Sequence, residues 1–163
     1  MKIKNIVILI VMCFKLFTLH AHILSDTDAS KQSFKDRLRF FMGAGAQFGG
    51  QANYFNLQPQ LGYQLKPKLI TGIGLNWQFY QTSSAKATII GGNTFVRYAW
   101  HPKAFTQFEF QELNYFNQWH SYAMIGAGII PSKGFYLSAY YLLLYPKDNI
   151  YRAPYILRFG VFF

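Results

Sequence analysis

The sequence predicts an all-β fold in which eight antiparallel strands close into an up-and-down barrel that crosses a membrane. Three observations support this prediction. Apolar and polar residues alternate with a period of two, which is typical of strands whose two faces have different surroundings. The alternating segments are about ten to thirteen residues long, which suffices to cross a bilayer at a tilt. Their connections are alternately short and longer, as in outer-membrane barrels.

Residues 1–21 are predicted to be a signal peptide that is removed on export. Lys2 and Lys4 precede an apolar run, and Ala21 is a small residue at the expected cleavage position. An N-terminal anchor that stays attached is the alternative. Cys13 is the single cysteine and lies within this segment, so the mature chain is expected to have neither a disulfide nor a thiolate metal site.

A short polar lead is predicted at 22–36, followed by the barrel at 37–163. Without its first 21 residues the chain keeps 13 basic and 6 acidic residues of an initial 16 and 6. The excess of positive charge favours contact with anionic lipid head groups. The basic residues are scattered along the sequence, whereas nucleic-acid binding calls for a basic cluster with placed aromatics. We therefore expect no nucleic-acid partner.

The eight strands can be placed in order from the alternation. In the clearest case, Leu69 to Tyr80, odd positions are mostly apolar and even positions are mostly small or carry an amide. The predicted strands lie at about 37–48, 52–64, 69–80, 88–100, 104–114, 119–130, 134–145 and 154–163. Short turns are expected at Pro67, Pro102 and Pro131, and longer polar loops at 81–87, 115–118 and 146–153. The short turns are expected to face the periplasm.

The chemistry of the two faces distinguishes a membrane barrel from a soluble one. A soluble barrel turns its polar residues outward, but here one face of nearly every strand is rich in Trp, Phe, Leu and Ile. Lipid is therefore predicted outside, with amide and guanidinium groups packed in the lumen. Aromatic residues near the strand ends are interpreted as interfacial girdles, namely Tyr63, Trp77, Phe79, Tyr98, Trp100, Tyr115, Trp119, Tyr141 and Tyr145.

Four charged residues on the inward face form the predicted lumen network. Arg39, Arg97 and Arg158 share that face with Glu109, the single acid at a strand centre. Buried charges must be paired and hydrogen-bonded, so these residues are predicted to form a salt-bridged plug that fixes the strand register. A gated ion path through the same network is the alternative.

Three segments carry a family resemblance. Residues 91–98 (GGNTFVRY), 105–114 (FTQFEFQELN) and 153–163 (APYILRFGVFF) resemble small outer-membrane barrel proteins of the Bacteroidetes type, and more broadly the OmpX and OmpA-barrel class. The resemblance covers 37–163. It implies an outer-membrane location, and outer-membrane lipid and lipopolysaccharide as partners.

The last strand carries a second resemblance. Tyr155, Phe159, Val161 and Phe163 lie on one face of it and resemble the C-terminal signal by which barrel-assembly machinery recognises its clients. The resemblance implies that this machinery and periplasmic chaperones are partners during biogenesis.

Catalysis is not expected. Some outer-membrane barrels resemble lipases that trim lipid A, and the candidates for such a site here are His120, Ser121 and Glu112. Adjacent strand residues point to opposite faces, so His120 is poorly placed to orient Ser121. The sequence predicts no catalytic residue, cofactor or metal, and a structural or surface-interaction role. A lipid A-modifying hydrolase and a narrow pore are the alternatives.

Overall fold

The computed structural model describes residues 33–49, 52–82, 86–115, 117–144 and 154–163. The predicted signal peptide and most of the polar lead lie outside these residues. The end of the lead forms a 3₁₀ turn at Lys35–Arg37, directly before the first strand. The ring of Phe34 packs against that of Tyr63, with 5.3 Å between the ring centroids. In the described part of the chain, no helix is long and apolar enough to cross a membrane.

Eight strands form one closed antiparallel sheet, in which each strand pairs with its sequence neighbours and the last pairs with the first. The strands are β1 (Leu38–Gly49), β2 (Ala52–Lys66), β3 (Leu69–Thr82), β4 (Lys86–His101), β5 (Ala104–Tyr115), β6 (Gln118–Ser132), β7 (Phe135–Leu144) and β8 (Tyr155–Phe162). All eight predicted strands and the up-and-down barrel are confirmed. Because β8 pairs with β1, every strand has a neighbouring strand on both sides.

The barrel has two distinct ends. We call the end that holds the β2–β3, β4–β5 and β6–β7 turns the short-turn end, and the opposite end the loop end. The turns are two residues each and lie at 67–68, 102–103 and 133–134. The register shifts close to all three turns, as is common at barrel rims.

The loops predicted at 81–87 and 115–118 are too long. Gln81 still pairs with Lys86, and Tyr115 with Gln118, so the first and last residues of both segments belong to hairpin strands. Their polar composition resembles that of a loop, yet a strand that extends past an apolar zone can be polar and keep its ladder of hydrogen bonds. The predicted loop at 146–153 lies outside the described residues.

The outward face of the barrel is apolar and the inward face is in part polar. Exposed large apolar side chains occur on every strand; they include Phe40, Phe55, Leu61, Ile73, Leu75, Trp77, Ile90, Trp100, Phe108, Ile125, Leu137, Tyr141, Leu157 and Phe159. Amide and charged side chains such as Gln78, Glu109 and Arg158 are buried in the lumen. This sidedness is the reverse of that in a soluble barrel, as the alternation predicts.

Glycines on the inward face make room for the aromatic rings that fill the lumen. A Cβ atom built on Gly128 would overlap the Phe105 ring and lie 2.8 Å from the backbone oxygen of Leu137. A Cβ on Gly160 would similarly overlap the Tyr136 ring. In a small barrel, such ring-over-glycine pairs allow tight curvature without leaving a cavity.

Gly128→Ala is expected to destabilise the barrel by about 1–3 kcal/mol, because the added methyl group must displace a packed ring or the neighbouring strand. Gly92→Ala is the matched control, since its added Cβ would meet one backbone oxygen at 3.7 Å, an ordinary contact distance. Urea unfolding of the barrel refolded in detergent micelles measures both. Equal stabilities of the two variants would contradict the proposed close packing.

Candidate functional site

The described lumen consists of a polar layer between two apolar clusters. The short-turn plug comprises Phe41, Phe95, Phe105 and Tyr136, with Ile70, Ile130 and Phe162 packed against them. The loop plug comprises Tyr54, Ile89, Leu113, Tyr115, Tyr122, Met124, Tyr140, Leu142 and Ile156. The polar layer between them comprises Asn56, Gln58, Gln60, Asn76, Gln78, Asn93, Gln107, Glu109, Gln111, Ser138 and Arg158.

Glu109 is the centre of the polar layer. Its carboxylate accepts a hydrogen bond from Arg158 Nη1 at 2.9 Å and one from Gln107 Nε2 at 3.0 Å. The side-chain amides of Gln58 and Gln111 also donate to it. Arg158 lies on β8 and Gln58 on β2, each three strands away from Glu109 on β5. These bonds therefore cross the lumen and tie together strands that are not adjacent in the sheet.

Arg158 makes further contacts besides its ion pair with Glu109. Its side chain and that of Glu109 are almost fully buried, with 2% and 0% of their surfaces exposed. The guanidinium carbon lies 4.5 Å from the centroid of the Tyr140 ring, and Nη2 lies 3.4 Å from the sulfur of Met124. Charge-assisted hydrogen bonds and a cation–π contact together offset the cost of removing this pair from water.

Arg97 lies inside the short-turn plug rather than against Glu109. Its guanidinium carbon is 4.3 Å from the centroid of the Phe41 ring and 4.2 Å from that of Phe105. Its Nε donates to Gln107 Oε1 at 2.7 Å, and Gln107 in turn donates to Glu109. Arg97 is thus joined to the polar layer through one amide, while aromatic faces surround its charge.

Arg39 is not part of the lumen network, which differs from the sequence prediction. Its Nη2 donates to Gln64 Oε1 at 2.8 Å, and its Nη1 donates to the backbone oxygens of Asp36 and Leu38. On β1 it lies six residues before Gly45, the partner of Arg158 in the strand pairing. Six residues of extended strand span about 20 Å, so Arg39 shares the inward face but lies at the short-turn rim.

The amides of β2 and β3 complete the other side of the polar layer. Asn56 and Asn76 are fully buried, and their amide atoms make no hydrogen bond within the described residues. Buried amides are normally paired with protein or ordered water, and leaving one unpaired costs about 1–3 kcal/mol.

The two plugs were not anticipated from the sequence, and one girdle prediction is wrong for the same reason. Tyr115 is buried in the loop plug, where its hydroxyl lies 3.2 Å from that of Tyr122. Strand parity could have shown this, because Tyr115 shares the inward register of Glu109 and Gln111. Trp77, Phe79, Tyr98, Trp100, Trp119 and Tyr141 are exposed on the outward face, Tyr63 is half-buried, and Tyr145 lies outside the described residues.

The candidate hydrolase residues do not form a catalytic arrangement. Glu112 and Ser121 are cross-strand partners and are both exposed. His120 lies on the opposite face, where its ring stacks on Tyr115 with 3.9 Å between centroids and 17° between planes. Within the described ranges, no group of three His, Cys, Asp or Glu residues is placed to hold a metal ion.

The four residues that resemble an assembly signal lie on or beside β8. Tyr155, Phe159 and Phe163 are exposed, whereas Val161 is half-buried. The Phe163 backbone N–H donates to the Phe40 oxygen at 3.0 Å, so pairing with β1 continues to this residue. Their role in assembly stays a prediction.

No protein-family model matches the chain, and no curated protein matches it in sequence. One chain solved in work on the de novo design of transmembrane β-barrels is similar in structure. The TM-score is 0.49 at 16% sequence identity, over 77% of this chain and 92% of that chain. A similarity of this size carries no argument about function, and the resemblance to Bacteroidetes barrels stays a prediction.

Glu109→Gln is expected to destabilise the barrel by about 3–5 kcal/mol, because it leaves the Arg158 guanidinium buried without a counter-charge. The double variant Glu109→Gln/Arg158→Met is expected to lose less stability than the sum of the two single variants. Urea unfolding of the refolded barrel measures this coupling. Glu112→Gln, on the same strand but exposed, is the matched control and is expected to change little. Additive single effects would contradict a cross-lumen ion pair.

Proposed function

We propose that the chain is a non-catalytic β-barrel that spans a bacterial outer membrane and has a structural or surface-interaction role. The observation that carries the proposal is the sidedness of the barrel. Large apolar side chains cover its outside, while a carboxylate, a guanidinium and many amides are buried inside. Water-soluble proteins rarely expose apolar patches beyond a few hundred Å², and a lipid bilayer is the surrounding that suits such an exterior.

Strand length and the position of the tryptophans support a spanning barrel. The strands run from 8 residues in β8 to 16 in β4, a range that brackets the 9–11 residues that cross a bilayer at a tilt. Trp77, Trp100 and Trp119 are 49%, 57% and 65% exposed and all face outward. Tryptophan is enriched at membrane–water interfaces, where its ring is half in lipid and its N–H reaches water.

An outer membrane is proposed because closed antiparallel barrels with an even strand number are typical of it. The predicted signal peptide at 1–21 is consistent with export. With the short turns toward the periplasm, the loop end faces the outside, and the connection between Leu144 and Tyr155 is the longest segment available to an external partner. The proposed surroundings are outer-membrane lipid and lipopolysaccharide. The proposed partners during biogenesis are barrel-assembly machinery and periplasmic chaperones, and β8 is the proposed assembly signal.

The lumen favours a structural role over the two alternatives. Aromatic and aliphatic side chains of both plugs occupy the lumen on either side of the polar layer. A narrow pore would need a continuous polar path past them. A hydrolase would need Ser121 within reach of a base, and His120 is directed to the opposite face.

Expression of the full chain in a Gram-negative host tests the proposal. The protein is expected in the outer-membrane fraction, and to migrate faster on a gel before heating than after, because a folded barrel resists detergent. The lipid A mass spectrum of the same cells is expected to match that of cells with an empty vector. A soluble protein with no heat-dependent shift would overturn the membrane assignment, and an altered lipid A profile would favour the hydrolase.

A further inference from the structure

Basic residues that are scattered in the sequence come together at one end of the barrel. Of the ten Lys and Arg residues in the described ranges, seven lie at the short-turn end. We call these seven the basic collar: Lys35, Arg37, Arg39, Lys66, Lys68, Lys103 and Lys133. Asp36 is the single acidic residue described at that end. The seven basic residues are scattered along the sequence but gathered at one end of the barrel.

Among the described residues, the opposite end has no such excess of basic over acidic side chains. Lys86 is the single basic residue described there, and Glu112 balances its charge. The remaining two, Arg97 and Arg158, are buried in the lumen. The charge of the described barrel surface is therefore concentrated at the short-turn end.

Three members of the collar are placed to meet a partner. Lys68, Lys103 and Lys133 each lie in a different two-residue turn, are exposed, and form no ion pair with an acidic side chain among the described residues. The three turns are two strands apart, so the lysines are spread around the rim rather than gathered at one point. A ring of this kind fits a surface that surrounds the barrel better than a single ligand beside it.

Exposed aromatic side chains lie close in sequence to two of these lysines. Trp100 is three residues before Lys103, and Phe135 is two residues after Lys133; they are 57% and 56% exposed. Aromatic rings at head-group level, with lysines beyond them, are the pattern by which membrane proteins meet an anionic lipid surface.

We propose that the basic collar binds the phosphodiester head groups of anionic phospholipids in the leaflet at the short-turn end. The inference rests on the proposed membrane-spanning barrel and adds a lipid preference and an orientation to it. Charge complementarity identifies the partner, because each lysine near an anionic lipid surface strengthens the attraction by about fivefold. With the short turns toward the periplasm, the partner is a phospholipid and not the lipid A of the outer leaflet.

Lipid titration of the refolded full chain tests the collar. Phosphatidylglycerol, phosphatidylcholine and lipid A are each added to the protein in neutral detergent, and bound lipids are counted by native mass spectrometry. The test variant is Lys68→Gln/Lys103→Gln/Lys133→Gln. Its controls are the same three positions changed to Arg, and Lys86→Gln at the loop end. Insertion of every variant into neutral phosphatidylcholine vesicles is followed separately by heat-modifiable gel mobility.

The unchanged chain is expected to bind phosphatidylglycerol in preference to phosphatidylcholine. Because the three lysines are spread around the rim, the triple Gln variant is expected to bind phosphatidylglycerol about fivefold more weakly at each of three separate positions. The Arg variant and Lys86→Gln are expected to bind as the unchanged chain does. Equal binding of phosphatidylglycerol by the triple Gln variant and the unchanged chain overturns the collar, whether or not lipid A binds, while normal insertion of the variants leaves the barrel intact. Failure of the unchanged chain to insert into the vesicles overturns both the basic collar and the membrane-spanning barrel.

Discussion

Closure of the sheet between β8 and β1 is the constraint on which the other features depend. The two strands pair from Phe41 with Phe162 to Gly45 with Arg158, and this pairing turns a twisted sheet into a barrel. Unpaired backbone groups cost several kcal/mol each in hydrocarbon, so an open edge would not be tolerated there. Once the sheet is closed, every strand residue faces either the outside or the lumen. The period of two in the sequence therefore separates residues on the apolar exterior from residues packed in the lumen.

The narrow lumen explains why its side chains form a polar layer between two apolar plugs. Eight strands leave a space that side chains fill, so each inward position must fit those facing it. Glu109 takes four donors from three strands, and the rings of the two plugs keep this network from bulk water. Removal from water strengthens the ion pair and also makes the loss of either partner costly. The layering therefore supports a sealed barrel whose interior specifies strand register.

Alternation in the sequence was sufficient to predict the strands, the closed barrel and the face on which most strand residues lie, with Tyr115 as an exception. It could not predict depth along the barrel axis, because the same period describes every level. Arg39 was for this reason grouped with Glu109, although the two lie at different levels. The paired polar ends of β3 and β4 were assigned to a loop, since composition does not distinguish a paired overhang from a loop. The basic collar was not predicted because its residues are far apart in the sequence. They come together in space because every second turn of an up-and-down barrel lies at the same end.

Tryptophan fluorescence of the barrel in vesicles tests membrane spanning most directly, because all three tryptophans of the chain face outward. The refolded protein is placed in phosphatidylcholine vesicles with or without bromine atoms on the acyl chains, and aqueous acrylamide is added to a parallel sample. We predict that brominated lipid quenches more of the tryptophan emission than aqueous acrylamide does. Emission that brominated lipid leaves unchanged and acrylamide quenches strongly would contradict a barrel whose exterior lies in lipid.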